Sequence, residues 1–196
     1  MSEGGFSLVG EWEVEATVPG GGSYSGLVTA RPVGAAVELE WDITAGRYVG
    51  LGLGAAGVWF VACGEDWEGL GLALVRVDGS VRWCPARQRG EVAATILEPS
   101  GARHWKAGPG TAPDFPFASI ALNGARYLCE AELQGGPVAR GLALPFPGGH
   151  ALAWHPRFDQ TVILRYAPGR EPGTLEAVWG LGGNKQLAAE TLRPLL

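Results

Sequence analysis

Basic residues, and lysine above all, are scarce in this 196-residue sequence. Only 18% of the residues are charged, and acidic residues outnumber basic ones by 20 to 15. Binding to the phosphates of a nucleic acid needs clustered Lys and Arg side chains, so this balance argues against a nucleic-acid partner. The only two lysines, Lys106 and Lys185, and the single methionine are typical of a chain encoded by a GC-rich genome.

Segments that would direct or anchor the chain are missing as well. Residues 1–5 do not begin a basic region followed by an apolar run, as a signal peptide would. No apolar stretch approaches the length of a membrane helix. The three cysteines, Cys63, Cys84 and Cys129, are odd in number and widely spaced, which disfavours a disulfide framework. We therefore expect a cytoplasmic protein with no membrane partner.

Helical periodicity is nearly absent, whereas glycine and proline are abundant. The 32 Gly and 14 Pro occur together with 8 Trp and 46% hydrophobic residues, a composition that disordered chains lack. In segment 11–16, Trp12, Val14 and Ala16 alternate with three glutamates, and residues 37–43 follow the same period of two. This alternation predicts strands with one solvated and one packed face, separated by turns. The predicted fold class is all-β.

The two halves of the sequence share a pattern of strands. Four segments recur in the same order: 37–43 as 127–133, 50–53 as 141–144, 58–64 as 149–155, and 91–99 as 186–194. Conserved order with small drifts in spacing indicates an internal duplication. We predict a first β-repeat at 1–98, a linker at 99–115 and a second β-repeat at 116–196. The repeats are expected to form one antiparallel barrel or a pair of barrel-like sheets.

The first 65 residues carry a string of strand motifs. They are Gly10-x-Trp12, Tyr24-x-Gly26-x-Val28, Leu39-x-Trp41, Tyr48-x-Gly50-x-Gly52-Leu53 and Val61-Ala62-x-Gly64. This string resembles a pattern in uncharacterised bacterial β-repeat proteins, whose strands read roughly Tyr-x-Gly-x-Val, Leu-x-Trp and Gly-x-Gly-Leu. The segment Gly10-Glu11-Trp12 is also similar to the opening of lipocalin- and avidin-type (calycin-like) barrels. The resemblance implies a β-barrel or barrel-like sheet and brings no activity with it.

The sequence carries no usual signature of a catalytic, cofactor or metal site. Segment 50–54 is rich in glycine like a nucleotide-binding loop, but a strand rather than a helix is predicted to follow it. His104, His150 and His155 are predicted to lie too far apart to share a metal ion. A pair of Cys63 with His155 at the ends of equivalent strands stays open. We expect no catalytic residue, cofactor or metal, and an enzyme of unknown class is the weakest interpretation.

Two arginines are candidate ligand-binding residues. Arg76 and Arg165 each lie inside an apolar strand, at similar places in the two repeats. An arginine among buried neighbours needs a carboxylate, a carbonyl or a ligand anion as its partner. The alternative is that both side chains point outward and pair with a glutamate on the next strand.

Tryptophans on the predicted strands are the other candidates, in particular Trp41, Trp83 and Trp154. Such residues fill small barrels and also line ligand pockets. In the alignment of the repeats, Trp41 falls on Ala131 and Cys63 falls on Trp154. The two interiors are therefore filled differently, and we expect one repeat to hold a cavity that the other has lost.

Two classes of function remain open. The first is a non-enzymatic binding protein for a small apolar or anionic ligand, held in an aromatic-lined barrel interior by Arg76, Arg165 and the tryptophans. The second is a structural or protein-interaction domain with a solid core, for which self-association stays open. A cavity would favour the first class, and a solid core with an exposed aromatic patch would favour the second.

Overall fold

In the computed structural model, which describes residues 6–18, 21–85, 90–124 and 127–195, the chain is built from short antiparallel strands. The strands are β1 (Gly10–Thr17), β2 (Ser23–Val33), β3 (Ala36–Ile43), β4 (Gly46–Ala55), β5 (Val58–Gly64), β6 (Gly71–Arg76), β7 (Ser80–Pro85), β8 (Ala93–Gly101), β9 (His104–Ala107), β10 (Ser119–Gly124), β11 (Cys129–Gln134), β12 (Arg140–Phe146), β13 (Gly149–Trp154), β14 (Val162–Pro168), β15 (Leu175–Leu181) and β16 (Ala188–Pro194). One 3-10 turn, Phe158–Gln160, precedes β14. None of the described residues belongs to a helix with the length and apolar character that crossing a bilayer requires.

The strands close into two barrels of eight strands each, which confirms the predicted all-β barrel class. The first barrel has the order β1-β16-β15-β14-β5-β4-β3-β2, and the second has the order β10-β11-β12-β13-β6-β7-β8-β9. Closure pairs both edges of each sheet, so none of the described strands is left as a long unpaired edge that could template aggregation.

The matched segments of the sequence fall on strands whose numbers differ by eight, such as β5 and β13 or β8 and β16. One repeat therefore comprises β1–β8 and the other β9–β16. Each barrel takes five strands from one repeat and three from the other. The two repeats thus exchange their last three strands, and neither barrel is made from one repeat alone.

The predicted linker at 99–115 is wrong, because strands occupy part of it. β8 runs to Gly101 with a bulge between Pro99 and Gly101, and β9 follows at once. β9 matches β1: Trp105 pairs with Ile120 and Pro99 as Trp12 pairs with Val28 and Pro194. Proline at a bulge and at strand ends is compatible with a sheet, so Pro and Gly in this segment mark bends rather than a boundary.

The strand register corrects two of the matches drawn from sequence. Phe60 and Ala151 are equivalent in the matched segments. Arg165 pairs with Phe60, and Leu74 pairs with Ala151. Arg165 therefore corresponds to Leu74 and not to Arg76. By the same reasoning, Trp41 pairs with Val28 as Leu133 pairs with Ile120, so Trp41 corresponds to Leu133 and not to Ala131. Both errors are two-residue shifts. Because side chains alternate with a period of two, such a shift leaves every residue on the same face and the hydrophobic pattern cannot detect it.

Three hydrophobic clusters hold the fold together. One fills much of the first barrel, one fills the second barrel, and the third lies where the barrels meet. Leu53, Phe60, Leu72 and Leu144 belong to the cluster between the barrels. Strands β4 and β5 are buried on both faces over most of their length, which explains why their sequences are almost continuously apolar.

Candidate ligand-binding cavity

The first barrel contains a cavity of about 330 Å³. This volume lies in the range of small-molecule sites, roughly 300–1,000 Å³. Exposed Glu65 and Asp159 lie at its mouth, and the carboxyl group of Glu190 lies at its buried base. Side chains from β2, β3, β4, β5, β14, β15 and β16 form the wall between them.

Glu190 points into the barrel because of its phase on β16. Ala188, Glu190 and Leu192 are the buried positions of an alternating strand, and Glu190 is only 1% exposed. A buried carboxyl group is costly unless hydrogen bonds replace its water shell. Two phenols do so: Tyr24 donates to Oε2 at 2.5 Å, and Tyr166 donates to Oε1.

These hydrogen bonds and burial act on Glu190 in opposite directions. Burial raises the pKa of Glu190, while hydrogen bonds from Tyr166, Tyr24 and Trp41 lower it, and burial prevails. Burial and the neighbouring Glu190 carboxylate raise the pKa of both Tyr24 and Tyr166. The phenols therefore stay protonated and act as donors, which leaves the carboxyl group as the acceptor of the cluster.

Aromatic rings form a large part of the cavity wall. Trp41, Tyr48, Trp179 and Tyr24 line it, and the rings of Tyr24 and Trp179 lie 6.3 Å apart between centroids. Gly50 gives Trp41 its place, because a Cβ at that position would lie 2.8 Å from the indole ring. The glycine-rich segment thus makes room for a tryptophan rather than for a phosphate group.

Cys63 also lines the cavity, and it does not form a catalytic pair with His155. Burial raises the pKa of the Cys63 thiol, so the thiol stays protonated and is a poor nucleophile. The ring of His155 is engaged elsewhere: its Nδ1 accepts a hydrogen bond from the backbone of Arg157 at 3.1 Å, and its Nε2 lies 3.3 Å from Asp66. The geometry therefore gives no support to a Cys63–His155 catalytic pair.

The corresponding region of the second barrel has a different composition. The strand register places Thr95 where the first barrel has Glu190, Val75 where it has Tyr166, and Trp154 where it has Cys63. The buried polar cluster at the base of the first barrel therefore has no equivalent at these positions.

The connection 108–118 between β9 and β10 supplies two further aromatic rings to the interior of the second barrel. Phe115 packs edge-on against Trp83 at 5.6 Å, and Phe117 packs edge-on against Trp154 at 5.0 Å between ring centroids. All four belong to the hydrophobic cluster of this barrel. The predicted site residues Trp83 and Trp154 thus lie in a packed core, and of the three predicted tryptophans only Trp41 lies in the cavity.

The two candidate arginines lie outside the barrel interiors. Arg165 is exposed on β14, between the inward-facing Leu164 and Tyr166. Arg76 is exposed at the end of β6 and lines a groove of about 490 Å³ on the outside of the second barrel. The structure does not bring Arg76 and Arg165 together with Trp41.

The polar cluster of Glu190, Tyr24 and Tyr166 was missed at the level of sequence. The signal that could have found it is an acid in phase with apolar residues, since Glu190 alternates with Ala188 and Leu192 on one face of its strand. Glu13 and Glu40, which lie on other alternating strands, are exposed as expected.

Comparison with known proteins and a search for metal-ligand groups add nothing to this description. Comparison of the chain with family models, curated proteins and solved structures gives no match. Within the part of the chain that the structure describes, no group of three or more His, Cys, Asp or Glu side chains is arranged to hold a metal ion.

Proposed function

We propose that the protein is a non-enzymatic binding protein whose first barrel takes a small, largely apolar ligand. One observation carries this proposal: a cavity of about 330 Å³, walled by aromatic rings, with a single buried and hydrogen-bonded carboxyl group at its base. Ligand sites combine an apolar wall with a few well-placed polar groups in this way. The packed interior of the second barrel shows that this fold does not need an open interior.

The arrangement favours binding over catalysis. Nucleophilic catalysis needs a nucleophile with a general base in reach, and acid–base catalysis needs a group that is free to donate or accept a proton. The thiol of Cys63 is held in its protonated form, and Glu190 is occupied by the hydroxyl groups of Tyr24 and Tyr166. These groups can orient a ligand without reacting with it.

The outer groove of the second barrel favours a second candidate function, as a protein-interaction surface. Ile96 and Arg76 line this groove together with Phe146, and Ile96 is 59% exposed. Light scattering over a concentration series tests whether this groove joins two copies of the chain. If the wild type self-associates and Ile96→Asp abolishes the association, this role is supported. If the wild type is a monomer at all concentrations, the groove does not join two copies of the chain.

Fluorescence of the neutral probe N-phenyl-1-naphthylamine tests the binding function, because its emission rises when it leaves water. We expect saturable binding to the wild type. The Cys63→Trp variant copies the residue that the second barrel has at this position and should weaken binding at least tenfold by filling the cavity.

The matched control is Ile96→Trp, which places the same ring on the outer groove and should leave binding unchanged. Strand content measured by circular dichroism verifies that both variants fold. Equal binding to the wild type and to folded Cys63→Trp protein would show that the probe does not occupy the cavity, and the proposed function would then fail.

A further inference from the structure

The cavity of the first barrel presents negative charge to its contents. Three carboxyl groups line it, those of Glu65, Asp159 and Glu190, and none of the described lining residues is Lys, Arg or His. Arg157 lies outside the cavity and pairs with Glu65 at 3.3 Å, which offsets one of the three charges. Asp159 at the mouth and Glu190 at the base remain the acidic groups that a bound molecule would meet.

The aromatic wall strengthens the preference for positive charge. Trp41, Trp179, Tyr24 and Tyr48 surround the same space. The face of an aromatic ring attracts a cation, and Trp does so most strongly. An aromatic cage with a carboxylate at its base is the arrangement by which proteins recognise organic ammonium groups rather than simple metal ions.

An enclosed hydrogen-bond acceptor provides an independent observation. The side-chain oxygen of Gln160, a lining residue on the turn beside Asp159, is enclosed and accepts no hydrogen bond from the described residues. A buried acceptor without a donor is costly, and a donor on a ligand would remove that cost. Glu190 also has capacity left, because a carboxylate offers about four acceptor positions, and the hydroxyl groups of Tyr24 and Tyr166 and the indole N–H of Trp41 occupy three of them.

We propose that the ligand of the first barrel is a small organic ammonium compound with an aromatic or apolar body. Its ammonium group lies toward Glu190 at the base, and its body lies between the rings of Trp41 and Trp179. This inference rests on the proposed binding function and adds the charge of the ligand. It replaces the anionic ligand that Arg76 and Arg165 suggest from sequence, because both arginines lie outside the cavity.

Calorimetry at pH 7 with three probes of similar shape tests the inference. The probes are 2-phenylethylammonium, 2-phenylethanol and 3-phenylpropanoate. We expect the ammonium ion to bind at least tenfold more tightly than the alcohol, and the carboxylate to bind most weakly. In Glu190→Gln protein, affinity for the ammonium ion should fall at least tenfold while affinity for the alcohol changes less than threefold.

Matched controls separate the cavity from the rest of the molecule. Thr95→Val changes the position in the second barrel that corresponds to Glu190 and should leave all three affinities unchanged. Asp159→Asn removes an exposed charge at the mouth without touching the core and should weaken ammonium binding two- to fivefold. Asp78→Asn, an exposed change on the second barrel, should have no effect.

The possible failures of this experiment are distinguishable. If N-phenyl-1-naphthylamine binds and the alcohol or the carboxylate binds as tightly as the ammonium ion, the charge preference is wrong and the binding function stands. If neither the naphthylamine nor any of the three probes binds, the binding function itself is wrong. The comparison of probes on the wild type decides the question even where Glu190→Gln does not fold.

Discussion

The two barrels have equivalent strand orders and differ in what fills them. The first encloses a cavity with a polar cluster at its base, whereas the second has an aromatic core. Changes at equivalent positions contribute to this difference: Glu190 corresponds to Thr95, Tyr166 to Val75, and Cys63 to Trp154. The same strand order therefore accommodates two different interiors.

The greatest structural difference lies in the connection between the first two strands of each repeat. In the first barrel β1 pairs with β2 over the whole length of β1, from Gly10 with Ala30 to Thr17 with Ser23. In the second barrel β9 spans only four residues, and Phe115 and Phe117 from the connection that follows it pack into the core. One repeat therefore keeps a regular hairpin beside an open interior, and the other uses the same stretch of chain to fill its interior.

The largest expected effect comes from removing the same tryptophan in each barrel. Trp83 and Trp179 occupy equivalent positions, but Trp83 packs against Phe115 whereas Trp179 borders the cavity. We expect Trp83→Ala to lower the free energy of unfolding by about 3–5 kcal/mol, as for other large core truncations. Trp179→Ala should cost at least about 1 kcal/mol less, because fewer packed neighbours are lost. Urea denaturation measures both, and equal losses would contradict the contrast between the barrels.

A smaller effect is expected from the polar cluster that only the first barrel has. Tyr166→Phe removes a fully buried donor to Glu190 and should lower the free energy of unfolding by about 1–3 kcal/mol. Tyr24→Phe removes the other donor, but Tyr24 is partly exposed and water can replace it, so the loss should be smaller. A greater loss for Tyr24→Phe in the same denaturation experiment would mean that the base of the cavity is more accessible than the structure shows.

The pH dependence of stability follows from the raised pKa of Glu190. The folded protein holds the Glu190 proton more tightly than the unfolded chain, so stability should fall as the pH rises from the ordinary Glu value of 4.5 to the raised pKa of the folded state. Lowered pKa values of Asp66 and Asp78 act in the opposite direction, because their stabilisation is lost as the pH falls. The difference between wild type and Glu190→Gln isolates the first effect, since both proteins keep the two aspartates. A melting-temperature difference that does not vary between pH 4 and 7 would contradict it.

The smallest effect is expected at the two arginines selected from sequence. Both side chains are exposed, so Arg76→Ala and Arg165→Ala should each change the free energy of unfolding by less than about 0.5 kcal/mol. Binding of N-phenyl-1-naphthylamine should be unchanged in both variants, because neither residue lines the cavity. Loss of binding in the Arg165 variant would mean that the ligand site lies on the outside of the first barrel.

The sequence predicted the fold class and the internal duplication, but not the exchange of strands between the two barrels. Alternation in segments such as 11–16 identified the strands and their buried faces, and the matched segments identified the duplication. It also indicated that Cys63 and Trp154 give the interiors different contents, which the packing of both residues supports. Of the site, it named Trp41 and missed Glu190, since one acid among many alternating ones is conspicuous only after the phase of β16 is known.

Tertiary structure decided which strands pair and therefore which residues meet. Tyr24 and Glu190 are 166 positions apart, and their contact exists only because β16 closes the sheet beside β1. A period of two reports which face of a strand is buried, but it says nothing about the identity of the neighbouring strand. The sequence by itself determined strands, faces and repetition, which are local properties. Long-range pairing decided the rest: the exchange of three strands between the repeats, the open interior of one barrel, and the position of Glu190 inside it.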